Sequence, residues 1–345
     1  MHIDTLDPAP TAESTQRTSQ IPVARVAWSA VLVLVVVFIA LLTPIPFMGR
    51  VTTAIGDLVH APLFGSLALA SLWAWSALVD KRHGSGSVQS VRTIFGRGIV
   101  VWSTLSVFGL FMEWLQSGMG RSASWHDALA NALGIAAAVC AYSAVAIATT
   151  ARPLAARCLG LLAVTLFSIA WYPPVELLAD VVQMHRRFPL LGSFESEIEL
   201  TRWYSRRATG RISSLNATEG DHSYEIQFQP NGYPAVSLVD LVQNWTGYTA
   251  LEVDASLAAD SSAETVTLLI QVIDKAHRQD YSGTLKKRVR LSRGQSRRIR
   301  ISLTAAADQT TAPNLDLTQI TFVDFTLEKP AAPTTLRLDR LILCR

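Results

Sequence analysis

Charge is scarce in this chain. Only 17% of its 345 residues are Asp, Glu, Lys or Arg, while half are hydrophobic, a balance too apolar for an ordinary soluble enzyme. The net charge of +3 is too small to argue for nucleic acid as a partner. Cysteine is scarce as well. Cys140 and Cys158 lie in or beside apolar runs and Cys344 next to the C-terminus, with no metal-ligand spacing and no obvious disulfide pair. They read as small apolar side chains. A cleavable leader is not expected either, because the first apolar run is longer than a signal-peptide core and carries no small-residue cleavage site.

What the chain has instead is a series of long apolar runs. Residues 1–22, rich in Thr, Ser, Gln, Pro and Asp, are expected to form a disordered cytoplasmic tail. Apolar segments follow at about 23–46, 57–79, 98–116, 127–149 and 153–172, each near the ~20 residues needed to cross a bilayer. Arg17 and Arg25 precede the first; Lys81, Arg82, Arg92 and Arg97 crowd the loop after the second; Arg152 and Arg157 surround the turn before the fifth. The other loops carry one basic residue each, Arg50 and Arg121. Basic loops stay in the cytoplasm. The N-terminus is therefore expected inside, in a bacterial cytoplasmic membrane, and everything after Tyr172 outside. Pro173-Pro174 are expected to end the fifth helix. Residues 173–190 then form an amphipathic interfacial linker, either lying on the membrane surface or capping the next domain.

Ionisable groups inside the apolar half are few and gathered. Glu113 and Gln116 are three apart and share a helix face; Asp127, Asn131 and Gly134, spaced by four and three, share another. Such groups usually face a partner rather than lipid. Bland roles are open for each. Ser124 with Asp127 makes a capping-box pattern, His60 suits an interhelical hydrogen bond, Arg121 a headgroup anchor, and Gly134 close helix packing.

The order E-x-x-Q-x4-R-x5-D-x3-N-x2-G, carried by Glu113, Gln116, Arg121, Asp127, Asn131 and Gly134, resembles the signature of the VanZ-like membrane family. Asp57 and His60 match that family's Asp and His near the start of the preceding apolar helix. Leu58 departs from it, since many members carry a basic residue there. The resemblance covers residues 23–172 and implies a cell-envelope membrane protein, some relatives being tied to glycopeptide-antibiotic resistance. It implies no particular reaction.

From 191 to 345 the composition changes to short alternating runs between turn residues. Segments near 223–228, 235–239, 250–254, 265–273, 286–291, 297–303, 319–327 and 335–343 suit strands, and about eight strands without a helix-period segment argue for a two-sheet sandwich. Phe194-Glu195 before Trp203, Asn244-Trp245-x-Gly-Tyr248, the run from Val272 through Asp274 to His277, and the closing run from Leu338 through Asp339 to Ile342 resemble galactose-binding-like jelly-roll modules of carbohydrate-binding proteins. The expected fold is thus an α-helical transmembrane bundle of about five helices followed by an all-β jelly roll. Trp203, Asp274, His277, Asp280 and Tyr281 are candidate glycan contacts; Trp245 and Tyr248 serve either that role or the core. The resemblance implies a structural Ca²⁺ held by Glu195 or Glu197 with Asp339. The alternating basic run Lys286 to Arg300 reads as solvated strand faces.

Three functions compete. One is a non-catalytic envelope protein binding glycan or lipid-linked glycan, with Asp57, His60, Glu113, Gln116, Arg121, Asp127 and Asn131 shaping a headgroup pocket among membrane lipids. Another is an acid/base enzyme in which Glu113 or Asp127 works with His60 while Arg121 holds a lipid-linked phosphate. A transporter is disfavoured, because a proton relay needs ionisable groups through the membrane and these lie on one side. Binding is preferred, since no nucleophile or metal spacing accompanies the acid/base set. Nothing in the sequence sets the oligomeric state.

Overall fold

The computed structural model describes residues 49–83, 90–118, 124–148, 152–279, 284–303 and 315–345, with isolated positions between 28 and 39. The tail at 1–22 and nearly all of the first expected helix lie outside the described residues, as do Arg121, Asp280 and Tyr281. The chain divides into two compact units, one of residues 1–46 and 57–171, the other of 47–56 and 172–345.

Four described helices are long and apolar enough to cross a membrane: α1 (Arg50–His83), α2 (Val91–Ser117), α3 (Trp125–Ala148) and α4 (Pro153–Arg187). Their starts are written in the sequence. The Ser90 hydroxyl accepts the Thr93 N–H and caps α2, and the Ser124 hydroxyl accepts the Asp127 N–H and caps α3. In the first unit α1, α2 and α3 share a core of Phe64, Leu67, Leu72, Val101, Leu105, Met112 and Ile135. Large apolar side chains such as Val107, Val145, Leu161 and Val164 point away from it.

One expectation is corrected here. Pro173-Pro174 do not end the helix: α4 runs through both to Arg187. A proline ring fits helical φ, so the cost is confined to the hydrogen bonds that the carbonyls one turn earlier forfeit and to ring crowding. The expected linker is thus the second half of α4, and the residues from Tyr172 on group with the sandwich.

The second unit is a β-sandwich. Its strands are β1 (Leu190–Gly192), β2 (Trp203–Arg206), β3 (Ala208–Ser213), β4 (Ser223–Phe228), β5 (Ala235–Leu238), β6 (Ala250–Leu257), β7 (Thr265–Asp274), β8 (Leu285–Ser292), β9 (Ser296–Ser302), β10 (Ile320–Leu327) and β11 (Thr334–Cys344). A short 3-10 helix, Glu197–Arg202, precedes β2. One sheet runs β3-β4-β11-β6-β9, with β1 completing the edge of β11 beyond β4; the other runs β2-β5-β10-β7-β8. Strand period two sends Val266, Leu268, Ile270 and Val272 of β7, with Val323, Phe325 and Leu327 of β10, into the core. An aromatic cluster of Phe194, Trp203, Tyr224 and Phe325, with ring centroids 5.2–5.8 Å apart, lies in that core. Trp245 is fully buried and donates its indole N–H to the Val242 carbonyl.

Candidate functional site

In the helical unit the structure gathers the polar residues of three helices. The imidazole of His60 (α1) meets Asn131 (α3), Nδ1 to Oδ1 at 3.1 Å, and its Nε2 stands 3.7 Å from Asp127 Oδ2. Glu113, near the end of α2, accepts the Ser124 N–H at 3.2 Å. In a complete capping box that N–H would go to Asp127. Here the preceding helix supplies the acceptor, and the Asp127 carboxylate reaches His60 instead. One ligand-type atom from each of His60, Glu113 and Asp127 lies within 4.8 Å of the others. Asp57 lies beside Asp127, and Gln116 is buried on the same end of α2.

Gly134 makes this convergence possible. A Cβ there would sit 2.2 Å from the carbonyl oxygen of Ala61, one residue after His60. The packing role expected of this glycine is what the geometry shows.

In the sandwich the candidates divide. Trp203 is covered by Phe194, Tyr224 and Phe325. A solvent-facing ring at Trp203 is therefore corrected to a core ring, and Trp245 is core too. Tyr248 packs edge-on against Phe188. Asp274 is fully buried and accepts the N–H groups of His277 and Asp316 and the His277 ring, tying the exit of β7 to the start of β10. The calcium expectation does not fit these residues. Glu195 accepts from the Asp221 and His222 N–H groups and the His222 ring; Asp339 accepts from the N–H groups of Thr218, Glu219 and Arg340; Glu197 is exposed. Donors occupy the oxygens that a cation would need.

Part of the basic run is paired across strands: Arg288 with Glu328, and two residues of β9. Arg298 lies opposite Asp254 and Arg300 opposite Glu252 in the β6–β9 register, with ion-pair distances of 2.8 and 2.6 Å. These pairings have a pH consequence. Arg298 holds Asp254 below the usual carboxylate range. Burial alone would raise Asp274, Glu225 and Glu195, but hydrogen bonds from backbone N–H groups, His277, Arg211, Arg337 and His222 lower all three. Folded values below unfolded ones give stability that is complete above about pH 4.5 and lost as pH falls through the folded values. The urea midpoint of the sandwich is expected to hold between pH 7 and 5 and to fall steadily below about 4.

The outer face of the five-stranded sheet carries a groove of about 830 Å³. Its floor follows from strand period two. Tyr204, Ser237, Asp324, Gln271 and Lys286 stand opposite one another in register, one per strand, from edge to edge. Four inter-strand spacings make that row about 19 Å long. Arg206, Thr326, Leu269 and Arg288 line the parallel row beside it. Tyr233, Arg207 and Arg278 form the rim. Tyr204 and Tyr233 are 60% and 51% exposed; the Lys329 ammonium stands 5.7 Å over the Tyr233 ring, so a ligand has the Tyr204 ring and the other side of Tyr233 to stack on. The sequence reading did not single out these tyrosines.

No family model matches the chain, and no curated protein matches it in sequence. Among solved structures, its C-terminal half resembles carbohydrate-binding β-sandwiches. One is a family 11 carbohydrate-binding module from Clostridium thermocellum, in complex with a β-1,3-1,4-mixed-linked tetrasaccharide (14% identity, 45% of this chain and 94% of that one, TM-score 0.34). A xylan-binding domain of family 22 is similar at 13% identity over 44% of this chain and 90% of that one, TM-score 0.31. An exo-β-agarase matches at 14% identity and TM-score 0.38 over 45% of this chain; the match spans only 24% of the agarase's length. Likeness at this level concerns the fold alone.

Proposed function

We propose that the protein is a membrane-anchored envelope protein whose sandwich binds a glycan along the outer face of its five-stranded sheet. The observation that carries this reading is the edge-to-edge row of side chains that begins at exposed Tyr204, with exposed Tyr233 on the rim. Aromatic faces stack on the apolar faces of sugar rings, and the in-register Ser, Asp and Gln groups suit hydroxyls. Among the described residues Arg206, Arg207, Arg278 and Lys286 outnumber the one carboxylate of the lining, Asp324, while Arg288 is paired with Glu328 at 2.7 Å. The glycan is therefore one bearing carboxylate, sulfate or phosphate groups. Each of Tyr204→Ala and Tyr233→Ala is expected to weaken binding of an anionic envelope polysaccharide roughly tenfold, ~1.4 kcal/mol, with unchanged melting. Weakened binding at higher salt accompanies it. Unchanged affinity in both variants, measured by titration calorimetry, would remove the groove from the account.

Four helices of membrane length, their outward apolar side chains and the placement of basic loops support a membrane anchor with the sandwich on the extracytoplasmic face. A reporter active only outside the cytoplasm, fused after Arg345, is expected to be on; cytoplasmic activity would reverse that topology. The convergence of His60, Glu113 and Asp127 favours a second reading, in which the helical unit performs acid/base chemistry on a lipid-linked substrate. The VanZ-like resemblance and its link to glycopeptide-antibiotic response belong with either reading.

A further inference from the structure

We propose that His60, Glu113 and Asp127 bind a divalent transition-metal cation. The inference does not depend on the glycan reading. The side-chain amide oxygen of Asn131 can only accept, so its 3.1 Å contact puts the proton of a neutral His60 ring on Nδ1. The lone pair of Nε2 then points away from Asn131, on the side of Asp127. Asp127 Oδ2 is 3.7 Å away, beyond hydrogen bonding. A ring lone pair thus faces a carboxylate oxygen, with a Glu113 oxygen inside the same 4.8 Å. His60 and Glu113 are more than nine-tenths buried, at 6% and 5% exposure, and the Asp127 side chain is 12% exposed. One imidazole nitrogen and two carboxylate oxygens gathered this closely are the donor types a divalent cation takes.

The spacing suits a metal ion. Bonds of about 2.0–2.2 Å in tetrahedral geometry place two ligand atoms roughly 3.3–3.6 Å apart. The His60–Asp127 separation is already close to that, and all three ligand atoms lie within 4.8 Å of one another. Two of the ligands are also steadied from outside. Asn131 fixes the tautomer of His60 and the Ser124 N–H holds Glu113. Outer partners of this kind orient metal ligands. One imidazole nitrogen with two carboxylates suits Zn²⁺ or Mn²⁺ better than Cu(I), which prefers sulfur, or Mg²⁺, which prefers all-oxygen sites. Three protein ligands leave a coordination position open to water or to an oxygen of a substrate.

The test uses the untagged full-length chain in detergent, stripped with a chelator and titrated separately with Zn²⁺, Mn²⁺ and Mg²⁺. Bound metal is read by elemental analysis after desalting, and thermal melting is followed in parallel. The expected result is about one Zn²⁺ or Mn²⁺ per chain, a higher melting temperature on reloading, and no displacement by Mg²⁺. Glu113→Gln, nearly isosteric, and His60→Ala should lose that stoichiometric ion, and Asn131→Ala should weaken it about 10–100-fold. A stripped wild-type chain that takes up neither ion overturns the proposal even if a variant misfolds. So does a folded Glu113→Gln chain that binds like wild type, because the ion would then sit elsewhere.

Discussion

Gly134→Ala is expected to lower the melting temperature of the helical unit more than any other single methyl addition to it. The added Cβ would meet the Ala61 carbonyl oxygen at 2.2 Å and the Ala61 Cα at 2.7 Å. Both are backbone atoms of α1, so no side-chain rotation relieves the clash and the helices must part. Overpacking of a well-packed core costs about 1–3 kcal/mol, and an unyielding backbone neighbour puts this case at the upper end or beyond. Parting α1 from α3 also pulls His60 away from Asn131 and Asp127. The same substitution at Gly160, where nothing lies within 4 Å, is the control. It is expected to be neutral or to stabilise α4 by roughly 0.5–1 kcal/mol. Circular dichroism melts in detergent read both. Equal melting of the two variants would show that the crossing is looser than described.

The second large effect is expected at Asp180, in the half of α4 that follows the two prolines. Its buried carboxylate receives Arg202 through both Nε and Nη2, and Arg50 through Nη1 at 2.5 Å. Arg50 also reaches Asp240 at 3.1 Å. One carboxylate thus joins the first turn of α1, the second half of α4 and the 3-10 helix before β2, all within the sandwich unit. Removing it leaves Arg202 buried without its main counter-charge, a change that costs about 3–5 kcal/mol. Asp180→Ala is therefore expected to shift the urea transition reported by Trp203 and Trp245, both in the sandwich core, to much lower concentration. A shift comparable to an exposed ion-pair mutation, below about 1 kcal/mol, would show that the network contributes little. Starting a fragment at Leu191 deletes Asp180 together with Leu190 of β1, so full-length protein suits binding work better.

The long elements were legible in the sequence because their periods are sustained. Eight strands and four helices have enough residues for alternation or an apolar run to stand out. β1, β2 and β3 were not. β1 has only three residues, and β2 and β3 are mostly exposed or half-buried, whereas β4 and β5, of equal lengths, are mostly buried and richer in apolar side chains. Missing β2 had a specific consequence for the site. On a strand, neighbours face opposite sides, so Trp203 and Tyr204 exchange roles with a one-residue change of phase. With β2 unseen, Trp203 stood out by ring size, whereas the core claims Trp203 and the groove takes Tyr204. The membrane cluster was legible because helix spacing alone puts Glu113 with Gln116, and Asp127 with Asn131. What spacing could not show is that Glu113 takes over the Ser124 N–H, since that bond joins two helices across a loop.

Hydrogen–deuterium exchange on the full-length chain, with and without a saturating anionic envelope oligosaccharide, tests the central claim most directly. Protection is expected in β2, β5, β10, β7 and β8, strongest in peptides that contain Tyr204 and Gln271, and reduced by Tyr204→Ala. Saturable binding whose protection falls on β3, β4, β11, β6 and β9 instead, or no protection with any anionic or neutral envelope glycan, would contradict it.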